Sequence, residues 1–146
     1  MVHRNPSFLP LGMHNLFPLS QFQFGFTTSS EKLRGIENVR LDDQQLGVHK
    51  SSSRTAHRLV TPPVTVTSAQ SLPPPEKAWE ALYPKGSINP KASIPGGFGF
   101  YLSGPRPFSD KLADAREVTF SYRLMLEEGW EWVKGGKLPG ICELIC

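Results

Sequence analysis

Proline and glycine divide this chain into short pieces, and no other feature limits its possible folds as strongly. Among 146 residues, 13 are glycine and 14 are proline. Proline lacks the backbone donor that a helix needs, and both residues favour turns. We therefore expect many turns and short strands rather than long helices.

Several of the remaining pieces alternate apolar and polar residues, which is typical of strands with one buried face. The clearest is 117–126 (EVTFSYRLML), where every second residue from Val118 to Leu126 is apolar. Composition or alternation predicts further strands at 16–26, 46–49, 59–67 and 96–104. Residues 77–83 (KAWEALY) are compatible with a short helix, although the flanking prolines favour a strand.

The other local signals are weaker. Residues 110–116 (DKLADAR) are the best candidate for a helix, and 127–129 (EEG) predict a turn before a further strand at 130–133. The pattern as a whole predicts an all-β, loop-rich domain of the sandwich or jelly-roll type.

Charge and composition exclude some classes of function. The net charge is +3, from 16 Lys and Arg against 13 Asp and Glu. This mild excess suits an anionic ligand but lacks the dense basic patches of a nucleic-acid-binding protein. No apolar run approaches the ~20 residues of a membrane span. Cys142 and Cys146 lie too close in sequence to cross-link a domain, and we interpret them as incidental.

Three consecutive blocks carry a family resemblance: 79–90 (WEALYPKGSINP), 95–105 (PGGFGFYLSGP) and 117–140 (EVTFSYRLMLEEGWEWVKGGKLPG). In this order and spacing they resemble the fungal members of polysaccharide lyase family 14, with the glucuronan lyases of family 20 close by. Residues 16–28 and 46–51 are also similar to fungal members. The resemblance divides the chain into a disordered segment at 1–15, a lyase portion at 16–140 and an atypical tail at 141–146.

The resemblance implies a β-jelly roll, incomplete in this chain, whose concave sheet binds an acidic polysaccharide such as alginate or glucuronan. It implies cleavage by β-elimination without a nucleotide or organic cofactor, by an extracellular monomer. The N-terminal residues, interrupted by three prolines, show no clear signal peptide. In β-elimination a cation neutralises the uronate carboxylate, a base removes the C5 proton and an acid protonates the leaving C4 oxygen.

The resemblance associates a lysine of the run KGGKLPG with catalysis, and we take Lys137 first and Lys134 second. The alternative for both is a solvated turn lysine. Arg123 and Ser121 share the polar face of the predicted strand at 117–126, where Arg123 either contacts a substrate carboxylate or is simply exposed. Tyr101 either stacks on a sugar or packs within the domain. His49 is either a proton carrier or structural.

Family members continue after KGGKLPG with a Ser-x-Arg strand and a Tyr-x-Tyr pair, whereas this sequence ends in ICELIC. We therefore expect an incomplete catalytic set and no lyase activity from this chain alone. Two other hypotheses stay open: a non-catalytic jelly roll that binds acidic carbohydrate, and a fragment that does not fold.

Overall fold

Short strands, joined by turns, make up most of the regular structure. The computed structural model describes residues 22–30, 32–63, 75–131 and 137–142. Its strands are β1 (Phe26–Thr27), β2 (Glu37–Asn38), β3 (Val48–His49), β4 (Arg58–Val60), β5 (Ala78–Glu80) and β6 (Tyr101–Leu102), followed by one helix, α1 (Arg106–Leu112). The all-β expectation agrees with this content, and the described strands form no closed barrel.

The strands pair in three separate two-stranded sheets. Strands β1 and β2 are parallel, whereas β3 pairs antiparallel with β6 and β4 pairs antiparallel with β5. The β3–β6 pair joins segments that lie more than fifty residues apart, with His49 opposite Tyr101. The predicted strands at 46–49 and 77–83 are confirmed as β3 and β5, each shorter than predicted.

Few aliphatic side chains are buried in the described ranges, and contacts between aromatic rings make up much of the packing there. Leu46 is 2% exposed and Ile36 is 8% exposed, and they are the buried hydrophobic residues of the described ranges. One ring cluster joins α1 to β1 through Phe108, whose centroid lies 4.8 Å from Phe26 and 5.5 Å from Phe24. A second cluster surrounds His57 and is described with the site.

The helix begins four residues earlier than predicted. Pro107 lies in its first turn, where the missing backbone donor has no cost, and Lys111 in the last turn suits the negative end of the helix dipole. Contacts of Phe108 with Phe24 and Phe26 hold this segment against β1. The prediction at 110–116 was therefore wrong in position, because it took no account of the proline start or of this tertiary contact.

The prediction of a strand at 117–126 was wrong. These residues carry no strand in the structure, and the apolar side chains of the alternating face are exposed, with Phe120 at 43%. A strand exists only through hydrogen bonds to a neighbouring strand, and no described strand pairs with this segment. The turn at 127–129 is confirmed, since the Trp130 amide donates to the Glu127 carbonyl at 3.1 Å.

Predictions for 16–21, 64–67 and 132–133 lie outside the described residues. The predicted strand at 59–67 is represented by β4, and that at 96–104 by β6. Within the described ranges, no helix has the length and apolarity that crossing a membrane requires.

Candidate functional site

The β3–β6 pair brings together three polar side chains of complementary chemistry, which we call the β3–β6 cluster: His49, Lys50 and Tyr101. The imidazole of His49 stacks on the Tyr101 ring with centroids 5.9 Å apart and an interplanar angle of 27°. The ammonium of Lys50 lies 5.2 Å from the centre of the same ring. All three residues are exposed, Tyr101 by 46%. An imidazole, a cation and a phenol therefore share one accessible surface.

A backbone contact determines the tautomer of neutral His49. Its Nδ1 lies 2.9 Å from the carbonyl oxygen of Gly47. A carbonyl only accepts, so Nδ1 carries the hydrogen and donates it. The neutral ring then has its lone pair on Nε2, and this nitrogen is the one able to accept a proton from a ligand.

Serine and glycine hydrogen bonds extend the cluster beyond the end of β3. The Ser52 amide donates to the Gly99 carbonyl at 2.8 Å, and the Ser52 hydroxyl donates to the same oxygen at 3.0 Å. The Gly99 amide in turn donates a hydrogen bond to Ser52 Oγ at 3.0 Å. These bonds hold the residues after β3 firmly against the residues before β6.

A surface cleft of about 430 Å³ begins at the residue after Lys50 and is lined by 51–57 and Asp43. Arg54 forms one wall, and its guanidinium donates to the carbonyls of Lys91 and Ala92 at 3.2 and 3.0 Å. The Thr55 hydroxyl oxygen is buried and has no hydrogen-bond partner among the described residues. The exposed residues Ser51 and Ser53 also line the cleft, so it offers hydroxyl groups of the kind that bind sugars.

A histidine–carboxylate pair closes one side of this cleft. His57 Nε2 lies 2.8 Å from one oxygen of Asp43 and 3.0 Å from the other. The His57 side chain is only 13% exposed, whereas that of Asp43 is 54% exposed. Three aromatic rings contact His57, namely Trp79, Phe98 and Phe100. This packing assigns His57 a structural role, linking the loop before β3 to β4 and β5.

Two long stretches of the sequence contain no carboxylate. Neither 44–75 nor 81–109 has an Asp or Glu, although each contains three Lys or Arg. The overall charge of +3 conceals this local excess, because the acidic residues lie elsewhere in the sequence. Plotting charge along the chain would have shown this signal, which sequence reasoning missed. Asp43, which pairs with His57, is the carboxylate in the lining of the cleft, and the rest of that lining suits an anion.

The structure brings together two of the predicted site residues, His49 and Tyr101. Ser121 and Arg123 lie in the segment at 117–126, which carries no strand, and both residues are exposed. Lys137 is exposed, and Lys134 lies outside the described residues. Lys50 was not among the predicted residues. In the sequence it is simply the residue after His49, and only the structure shows that both side chains lie beside the Tyr101 ring.

Among the described residues there is no group of three His, Cys, Asp or Glu that could hold a metal ion.

The blocks at 79–90 and 95–105 pack on each other. Tyr83 lies where a side chain at Gly97 would be, since a Cβ there would come within 2.5 Å of the Tyr83 hydroxyl. The Gly97 amide donates to the Leu82 carbonyl at 2.8 Å. Tyr83 also contacts Trp130 edge-on, with centroids 5.7 Å apart, which joins both blocks to the third.

Comparisons with known proteins agree with these blocks. A family model described as Polysaccharide lyase 14 matches residues 73–143. No curated protein matches the chain, and no solved structure matches it either. The matched range holds all three blocks and Tyr101, whereas His49 and Lys50 lie before it. Almost half of the chain therefore carries the sequence pattern of polysaccharide lyase family 14, which supports a lyase at the level of enzyme class.

Proposed function

We propose that this chain is a family 14 polysaccharide lyase domain that acts on uronate polymers by β-elimination. The observation that carries the proposal is the family match over 73–143, which includes the run KGGKLPG. The β3–β6 cluster supports it independently, because an exposed imidazole, ammonium and phenol lie together in a region built from carboxylate-free segments.

The cluster contains one group suited to each step of β-elimination. Unprotonated Nε2 of His49 is able to accept the C5 proton, and the Tyr101 hydroxyl is able to protonate the C4 oxygen as it leaves. A cation beside the C6 carboxylate stabilises the charge that develops on it. We keep Lys137, Lys134, Arg123 and Ser121 as candidate contributors from the family resemblance.

We further propose glucuronan or alginate as the polymer, a jelly-roll architecture for the complete domain, and action outside the cell as a monomer. The resemblance stated above motivates these finer points. The aromatic clusters and short paired strands are compatible with a sheet-rich domain whose exposed face binds a polysaccharide.

The test is a lyase assay on the full chain with polyglucuronate, alginate and a neutral glucan. Each elimination leaves a C4–C5 double bond conjugated to the carboxylate, so ultraviolet absorbance reports turnover. The sequence alone predicts no activity, but the β3–β6 cluster holds a base, a cation and an acid of its own. We therefore expect the signal with at least one uronate polymer and none with the neutral glucan. His49→Gln should lower the rate by about 100-fold or more, the usual contribution of a general base. Absence of product with every uronate polymer would overturn the catalytic proposal.

A non-catalytic role in binding acidic carbohydrate is the second candidate. One observation favours it: a cleft lined by Ser51 and Ser53 begins beside the exposed Lys50, and this arrangement suits carbohydrate binding without any acid or base. Binding of uronate oligosaccharides without unsaturated product would support this role over the lyase.

A further inference from the structure

Lys50 has a backbone conformation that ordinary residues avoid. Its φ angle is 50°, and no other non-glycine residue in the described ranges has a positive φ. Left-handed backbone is costly for a lysine, whereas glycine adopts it freely and asparagine tolerates it. Strain of this kind persists where the surrounding structure imposes it, and it is concentrated at functional sites.

The hydrogen-bond register shows what imposes this conformation. Leu46 bonds with Gly104, Val48 lies opposite Leu102 and His49 lies opposite Tyr101, so the residue numbers of each pair add to the same total. In that register Ser52 would face Phe98, but its amide donates to Gly99 instead.

Two residues, Lys50 and Ser51, therefore lie opposite the single residue Phe100. This is the geometry of a β-bulge with its first residue left-handed, a device that redirects a side chain and is common beside active sites. The three hydrogen bonds between Ser52 and Gly99 hold the bulge closed. A glycine would suit the first position best, so the presence of a lysine calls for an explanation in its side chain.

No carboxylate in the described part of the chain neutralises the ammonium that the bulge presents. No carboxylate among the described residues lies within ion-pairing distance of Lys50, and its described contact is with the Tyr101 ring, 5.2 Å from the centroid. A cation over an aromatic face is held in place without being neutralised. It stays available to an external anion.

We propose that Lys50 is the residue that binds the substrate carboxylate, and that the β-bulge directs it toward a uronate ring at the mouth of the 51–57 cleft. This inference rests on the proposed function and assigns the substrate class to one side chain. The carboxylate faces Lys50, and the hydroxyl-lined cleft beside it receives a neighbouring part of the polymer. The unprotonated Nε2 of His49 then lies next to the bound ring.

The experiment measures binding of two oligosaccharides to the full chain by calorimetry. One is a glucuronate oligomer, and the other is the same oligomer with its carboxyl groups reduced to alcohols. The variants are Lys50→Asn and Lys50→Gly, both of which suit positive φ and so keep the bulge. Lys111→Asn is the matched control, because Lys111 also lies over an aromatic ring, 5.6 Å from the centroid of Phe24, but in α1.

We expect each Lys50 variant to weaken binding of the acidic oligomer by about two- to fivefold, as loss of one accessible ion pair predicts. Binding of the reduced oligomer should not change, and Lys111→Asn should bind both as the wild type does. The Lys50→Gly variant should be about as stable in urea as the wild type, because the strain that it removes offsets the entropy that glycine adds to the unfolded chain. Unchanged stability together with weaker acid binding is the expected result for a strained functional residue.

Equal binding of the acidic oligomer by wild type and both Lys50 variants would overturn this inference while leaving the proposed function intact. An equal loss for Lys111→Asn would also overturn it, because the effect would then be one of overall charge. Failure of the wild type to bind the acidic oligomer at all would overturn both the inference and the proposed function.

Discussion

Gly47 lies at the base of the β3–β6 cluster, and replacing it with alanine should destabilise the protein. Its φ angle is 60°, and a Cβ would come within 2.3 Å of Ser103 Oγ and 3.2 Å of the Gly104 carbonyl oxygen. Its own carbonyl accepts from His49 Nδ1 at 2.9 Å and from the Ser103 amide at 3.4 Å. The substitution therefore strains the residue and displaces the strand on which Tyr101 lies.

The magnitude follows from these contacts. Left-handed backbone costs alanine about 1–2 kcal/mol. The Ser103 hydroxyl can rotate away, but the Gly104 carbonyl is backbone and must shift, which adds about 1 kcal/mol, at the lower end of overpacking costs. Alanine also lowers the conformational entropy of the unfolded chain, which stabilises the folded state by about 0.4–1 kcal/mol and offsets part of this cost. We expect Gly47→Ala to lower the free energy of unfolding by about 2 kcal/mol.

Urea unfolding followed by tryptophan fluorescence measures this change. For an m value of about 2 kcal/mol/M, the midpoint should fall by about 1 M. Gly140→Ala is the control, since nothing lies within 4 Å of a Cβ there, and it should change stability by less than about 0.5 kcal/mol. Gly47→Asn should be milder than Gly47→Ala, because asparagine tolerates positive φ. A midpoint for Gly47→Ala equal to that of the control would refute the reasoning.

Three further substitutions test the packing around the site by urea unfolding. Phe108→Ala removes the ring that packs on the two phenylalanines at β1, and we expect a loss of about 2 kcal/mol; a loss below about 0.5 kcal/mol would contradict that packing. Asp43→Asn removes the carboxylate that hydrogen-bonds to mostly buried His57, and stability should fall by about 1 kcal/mol; an unchanged midpoint would argue against a structural role for this pair. Gly97→Ala places a methyl group against the Tyr83 hydroxyl at φ 69° and should cost about 1–2 kcal/mol; an unchanged midpoint would argue against the contact.

Local signals predicted those elements whose cause is local. The turn at 127–129 needed only a glycine able to take positive φ, and Gly129 has φ 79°. Strands β3 and β5 also lie where composition and flanking prolines predicted them, but each forms only because a partner strand, β6 or β4, pairs with it. The helix was misplaced because its position depends on Phe108 reaching the rings of Phe24 and Phe26, which no local pattern reveals.

The segment at 117–126 shows the opposite failure, since its pattern is ideal for a strand and yet it forms none. Alternation states which face is suited to burial, but hydrogen bonds from a neighbour are what make a strand. Among the described residues no neighbour supplies them, so the side chains of Phe120 and Leu124 stay exposed. A pattern-based prediction is therefore conditional on a partner that the same pattern cannot identify.

The sequence by itself determined the sheet-rich class of this protein, the family resemblance at 79–140 and two members of the candidate site, His49 and Tyr101. Composition and alternation carry the first of these, and the resemblance to family 14 carries the others. Only the tertiary structure decided that these two residues share a surface, and that Lys50 joins them. The reason is physical: the cluster depends on a pairing across more than fifty residues and on a one-residue shift in its register, and both arise from hydrogen bonds between distant segments.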